Sequence, residues 1–200
     1  MGELRDLASY IGKFRLEDVP ENVVSEAKYC ILDSIGAAIG AASYEEIPNI
    51  ARRVLSFSGE DGDNSASIWG GNRKTSLFQA ILLNGIMGHA LELDDVHTRS
   101  KTHIGAVVLP SAWTLAESIG ATGKELLEAV IVGYETMARI GKGFGVASHR
   151  KKGWHVTGTA GTFGSAAACA KLLKLDEDQI VSSLGMAGTQ SSGLWAFLEA

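Results

Sequence analysis

The stretch Thr122-Gly-Lys-Glu-Leu-Leu-Glu-Ala-Val-Ile-Val-Gly-Tyr-Glu-Thr-Met-Ala-Arg-Ile-Gly-Lys142 shows the dominant period of the chain. It opens on a capping box: the Thr122 hydroxyl can accept the Glu125 amide while the Glu125 carboxylate reaches back to the amide of Thr122. A helix follows from Lys124 to about Lys142. The same period continues on both sides. Downstream, Thr157 to Lys174 reads as one helix, and Asp176, a cap answered by Gln179, opens another to about Ala187. Upstream, Leu4, Leu7, Ala8 and Ile11 form a short apolar stripe. Pro20 sits where a first helical turn tolerates proline, and Val23, Val24, Ala27, Cys30, Ile31 and Ile35 continue as a buried face. Ile47 to Phe57, ended by Ser58-Gly59, Leu77 to about Leu91, and Gly105 through Trp113 and Leu115 to Ile119 complete the helices.

One strand signal interrupts them. Ala66-Ser-Ile-Trp69 and Lys74-Thr75 flank Gly70-Gly-Asn72, which predicts a hairpin. No repeat of fixed length and no low-complexity linker occurs. The expected fold is therefore all-α with one small β-hairpin, in a single unit spanning residues 1–200. Gly158, Gly161 and Gly164 lie inside a predicted helix, where each costs about 1 kcal/mol against Ala. No Gly-Lys-Ser/Thr follows, so a phosphate loop fails, and close approach of two backbones is the reading that remains.

Composition narrows the function. The 200 residues are 46% hydrophobic and 20% charged, ample for a core without disulfide staples. Eighteen basic against 23 acidic residues leave a net charge of −5, which argues against a nucleic-acid binder. The first twenty residues are too charged for a signal peptide, Asp6 breaks the myristoylation pattern after Gly2, and no window reaches the ~18 apolar residues of a membrane span. Cys30 and Cys169 lie in apolar runs and read as small core residues of a reduced, cytoplasmic protein.

Three of five histidines fall in His89-Ala-Leu-Glu92-Leu-Asp94-Asp95-Val-His97-Thr-Arg-Ser-Lys-Thr102-His103. Ionisable groups crowded against an apolar helix shift one another's protonation, as proton-transfer sites require; the plainer reading is a solvated helix end. A metal set of His89, Asp95, His97 and His103 lacks the HExxH spacing, and no Gly-x-Ser-x-Gly elbow supplies a nucleophile. Acid–base chemistry without a metal needs only His and carboxylate groups around a bound anion. A second patch, Ser148-His-Arg-Lys-Lys-Gly-Trp-His155, reads as a basic loop. It leaves His149 unconstrained but puts His155 at the positive end of the Gly/Ala-rich helix.

The string His89-Ala-Leu-Glu-Leu-Asp-Asp-Val-His97, then Thr102-His-Ile-Gly-Ala-Val-Val-Leu-Pro-Ser-Ala112, resembles the signature of the MmgE/PrpD family. So do Gly133-Tyr-Glu-Thr136 with Arg139-Ile-Gly141, Gly153-Trp-His-Val-Thr-Gly-Thr-Ala-Gly-Thr-Phe-Gly-Ser-Ala-Ala-Ala168, and Ser183-Leu-Gly-Met-Ala-Gly-Thr-Gln-Ser-Ser-Gly193. The resemblance implies action on small polycarboxylates, as a homodimer and with no metal or organic cofactor. The activities it covers are those of 2-methylcitrate dehydratase, cis-aconitate decarboxylase and iminodisuccinate epimerase, with dehydration the first expectation. It implies a large all-α domain and a smaller α+β lid with the site between them. His103 and His155 then match the catalytic histidines, while Asp95 and Thr102 shape the substrate pocket. Glu92 stands where relatives often carry Asp and contacts substrate. Family members run to roughly twice this length, so the chain is expected to be the N-terminal helical part, lacking the lid and leaving apolar surface uncovered. The competing expectations are a non-catalytic helical interaction module, or one half of a split heteromeric enzyme.

Overall fold

The computed structural model describes residues 2–44, 46–57 and 66–198. Its helices are α1 (Gly2–Lys13), α2 (Glu21–Ala41), α3 (Glu46–Phe57), α4 (Leu77–His89), α5 (Gly105–Ile119), α6 (Gly123–Gly143), α7 (Val146–Lys151), α8 (Val156–Leu172) and α9 (Glu177–Thr189). Short 3₁₀ turns occupy Leu16–Asp18 and Trp195–Leu198. A two-stranded antiparallel ribbon pairs β1 (Ala66–Ser67) with β2 (Lys74–Thr75), Ala66 opposite Thr75. The all-α expectation with one hairpin holds; the expected Ser58-Gly59 stop lies outside the described residues. None of the described helices is long and apolar enough to cross a membrane.

Both capping boxes form. The Thr122 hydroxyl accepts the Glu125 amide at 3.2 Å and Glu125 Oε2 accepts the Thr122 amide at 2.8 Å. Asp176 and Gln179 reciprocate in the same way at 2.9 and 3.0 Å. The hairpin is pinned inward by polar side chains: Asn84 Oδ1 accepts the Trp69 amide at 2.8 Å, and Glu117 accepts both the amide and the hydroxyl of Ser67.

The centre of the fold is α5, buried on nearly every side and packed against α4, α6 and α8. The glycines set its closeness. A Cβ on Gly164 would lie 2.8 Å from Met137 Cβ and 2.9 Å from Val108 Cγ2; one on Gly133 would lie 2.6 Å from Val108 Cγ1 and 3.1 Å from the Gly164 carbonyl. Gly161 faces Val107, where a Cβ would come within 2.9 Å. Gly158 instead lets the 191–195 segment cross the start of α8, a Cβ there meeting the Ser192 carbonyl at 2.7 Å. Close approach of a second backbone is thus the use of Gly158 and Gly164, as the pattern implied, whereas Gly161 makes room for the Val107 side chain.

Two features depart from expectation. Residues 148–151, read as a basic loop, belong to α7. The predicted helix to about Leu91 ends at His89, and Glu92 takes up a left-handed backbone (φ 51°) that turns the chain into the following loop. Large apolar side chains remain uncovered on two helices that pack on each other: Tyr29, Leu32 and Ile39 on α2, Phe78 and Leu82 on α4.

Gly164→Ala should lower stability by about 1–3 kcal/mol despite the better helix former, because α6 and α5 cannot withdraw. Gly36→Ala, in α2 with nothing within 4 Å of the added carbon, should raise it by up to about 1 kcal/mol. Urea denaturation of the two variants beside the parent checks both signs.

Candidate active site

Three helix ends converge: the C-terminus of α4 carrying His89, the approach to α5 carrying His103, and the N-terminus of α8, whose N-cap is His155. Between the first two runs the 90–104 loop, closed by a β-bridge in which the His97 amide donates to the Thr102 carbonyl at 2.9 Å.

At its centre is Asp94, whose side chain is 0% exposed. Its Oδ1 accepts from His89 Nδ1 at 2.8 Å and its Oδ2 from His103 Nδ1 at 3.2 Å. A carboxylate can only accept, so both imidazoles carry the proton on Nδ1. Their rings lie 4.8 Å apart, edge to face. His89 Nε2 faces Glu92 Oε1 at 3.3 Å, with Glu92 out in solvent. His103 is fixed by its backbone as well, its amide donating to Thr157 Oγ1 in the first turn of α8 at 3.1 Å.

The electrostatics follow from these contacts. The hydrogen bond to Asp94 raises His89 above the ordinary imidazole value, against the pull of burial. Burial pushes the Asp94 carboxyl up, but the His89 bond and the two imidazole charges outweigh it and hold the group below the usual carboxylate value. His155 is pushed down by burial first and then by His89 and His103, so the three imidazoles share one electrostatic neighbourhood. Its ring meets Trp195 at 5.0 Å, and the Arg150 guanidinium lies 4.3 Å above that indole. The 191–195 segment puts Trp195 there: the His155 amide donates to the Gly193 carbonyl at 3.0 Å and the Trp195 amide to the Gly153 carbonyl at 2.8 Å.

Of the residues singled out in the sequence, His103, His155 and Glu92 come together. Asp95 and Thr102 turn elsewhere. Asp95 Oδ1 accepts the Gly105 amide at 2.9 Å and faces the Ser34, Tyr134 and Cys30 side chains, where burial raises its carboxyl. Thr102 is fully buried, its hydroxyl 2.6 Å from Ser100 Oγ, which in turn meets His97 Nδ1 at 2.7 Å. The four-residue metal set is therefore dispersed. Among the described residues His89, Asp94 and His103 do hold ligand atoms within 4.8 Å of one another, with both Asp94 oxygens engaged by imidazole donors. His149 is far from unconstrained: it stacks on Phe144 at 4.9 Å, and its Nε2 lies 2.8 Å from the Thr159 hydroxyl. The residues missed as site members are Asp94 and His89, both inside the crowded stretch, and Trp195, which no local pattern marks.

Paired imidazoles on a buried carboxylate, with a third imidazole nearby at the N-cap of α8, suit an acid–base centre for an anionic molecule. The chain belongs to the MmgE/PrpD family: the MmgE/PrpD N-terminal domain matches residues 5–200. It is 31% identical over 198 residues to a cis-aconitate decarboxylase-like protein of Aspergillus oryzae and 30% identical over 198 residues to the cis-aconitate decarboxylase of Aspergillus terreus. Each match covers 96% of this chain and 40% of the relative. The human cis-aconitate decarboxylase is 28% identical over 185 residues, 90% of this chain and 38% of that protein. The chain thus spans about two-fifths of the length of the relatives it matches.

The depressed Asp94 carboxyl contributes stability present above its ordinary value near 4 and lost as pH falls through the folded value; raised His89 contributes stability present below about 6.5 and lost as pH rises through the folded value. Asp94→Asn should therefore cost about 3 kcal/mol near pH 5.5 and clearly less at about pH 8.5. Urea denaturation at the two pH values checks the difference; an equal cost at both contradicts the ion pair.

Proposed function

We propose that the chain contributes the histidine side of a lyase active site that works on a small polycarboxylate by acid–base catalysis, without a metal. The observation that carries this is the His89–Asp94–His103 group in one electrostatic neighbourhood with His155, the N-cap of α8. Cleavage or proton removal beside a carboxylate builds carbanion-like charge onto that group, and imidazolium or amide donors stabilise it. His103, its Nδ1 turned to Asp94, presents Nε2 to substrate. His155 is depressed toward the neutral form and so suited to act as base.

Decarboxylation is the activity the named relatives favour, ahead of the dehydration expected from motifs alone. In that reaction the electron pair of the breaking C–CO2 bond passes into the adjacent unsaturated system, and an imidazolium delivers a proton to carbon. Dehydration uses the same groups, one imidazole removing a proton from carbon and another protonating the departing hydroxyl. Asp95 and Thr102 act here by shaping the loop rather than by touching substrate, through the Gly105 amide and Ser100. Glu92, exposed beside His89, is the member placed to influence which polycarboxylate fits.

His103→Ala and His155→Ala in full-length protein should each lower kcat/KM for cis-aconitate by about 100-fold or more. Carbon dioxide release checks this, and full activity in either variant contradicts the assignment. The uncovered apolar side chains of α2 and α4 support a homodimer built on that face. Leu32→Glu with Leu82→Glu should convert the particle to monomers by light scattering; an unchanged mass places the interface elsewhere.

A further inference from the structure

We propose that His89 is a positioning residue: as the second imidazole on Asp94, it takes up that buried charge and leaves His103 oriented with Nδ1–H inward and Nε2 outward, not held as a cation. This rests on the acid–base reading of His103. Asp94 is wholly buried, and both its oxygens end on imidazole nitrogens. The two bonds are unequal, 2.8 Å to His89 and 3.2 Å to His103. His89 also has a carboxylate on its other nitrogen, Glu92 Oε1 at 3.3 Å from Nε2, so both sides of one ring face acceptors that require donors. That is the pattern of an imidazolium between two carboxylates. His103 has one carboxylate, at the longer distance, and a Thr157 contact made by its backbone only. The charge on Asp94 is thereby matched by His89, and His103 keeps Nδ1 on the carboxylate with Nε2 on the far side of the ring. The ionisable groups around the pair are Glu92 and Asp94 from the loop and His155 from the start of α8.

The deciding comparison uses His89→Asn, whose amide keeps a neutral donor near the Nδ1 position, with His89→Ala beside it. Removing the cation leaves Asp94 to attract a proton onto His103, so the acid limb of the kcat/KM profile for cis-aconitate should move to higher pH by about one unit. The His103 ring signals in long-range proton–nitrogen spectra should move with it. A lowered kcat with an unmoved profile and unmoved His103 signals would mean a merely structural role and overturn the proposal. So would a shift to lower pH, which would show Asp94 protonating instead. Should the variants not fold, the unmodified protein decides between the same alternatives: as pH is raised, His89 should keep its second proton after His103 has lost one, and the reverse order overturns the inference. The spectra do not depend on turnover, so protein inactive on cis-aconitate would sink the functional reading while leaving this one to be judged.

Discussion

Everything in the site depends on how closely α5, α6 and α8 approach one another. At Gly133 and Gly164 the backbones of α6 and α8 touch, with Val108 of α5 wedged against both, and at Gly161 α8 closes on Val107. Side chains at these glycines would push the helices apart, and the start of α8 would move away from the start of α5. The Thr157 hydroxyl then could not reach the His103 amide, and His155 would leave the neighbourhood of His89 and His103. The helix propensity given up at these positions is offset by interhelical packing. Pro110 in the middle of α5 fits the same close packing, with Gly85 of α4 opposite the Ala106 carbonyl that lacks a proline N–H to bind.

Within that frame, two neighbouring carboxylates divide two tasks. Asp95 serves the fold, tying the loop to the first amide of α5 above the Ser34, Cys30 and Tyr134 side chains. The same burial pushes the Cys30 thiol up to about 11, so it is an inert neighbour and not a nucleophile. Asp94 serves the imidazoles. A buried carboxylate with two imidazole donors is costly to desolvate, and its retention makes sense where it sets ring orientation and charge. The Arg150–Trp195–His155 run of contacts extends the arrangement outward from α7 and the 191–195 crossing.

Much of the fold is legible in the sequence because its signals are local. Capping boxes at Thr122 and Asp176, apolar periodicity in α1, α2, α4, α5 and α6, and the Gly-Gly-Asn turn each act within a few residues. The 89–103 stretch stands out in the sequence too, by the number of ionisable groups it crowds against an apolar helix. Which of Asp94 and Asp95 serves the histidines is not, because the left-handed turn at Glu92 sets their directions and periodicity says nothing about a single positive φ. Thr102 looks like a site residue by adjacency to His103, yet the bridge to His97 turns its hydroxyl inward. His149 and α7 are hidden for another reason. The stacking of Phe144 and Trp154 on that ring, and its bond to Thr159, join positions in successive elements through the turns on either side of α7, which apolar periodicity does not register.

The claim that three particular imidazoles form one anion-directed centre can be tested by following all five histidines at once. Histidine ring signals would be recorded by NMR while cis-aconitate is added at constant pH. The account predicts that His89, His103 and His155 move together along one saturable curve, while His97, tied to Ser100, and His149, stacked on Phe144, stay where they are. Movement confined to His97 or His149, or independent curves for His103 and His155, would contradict it.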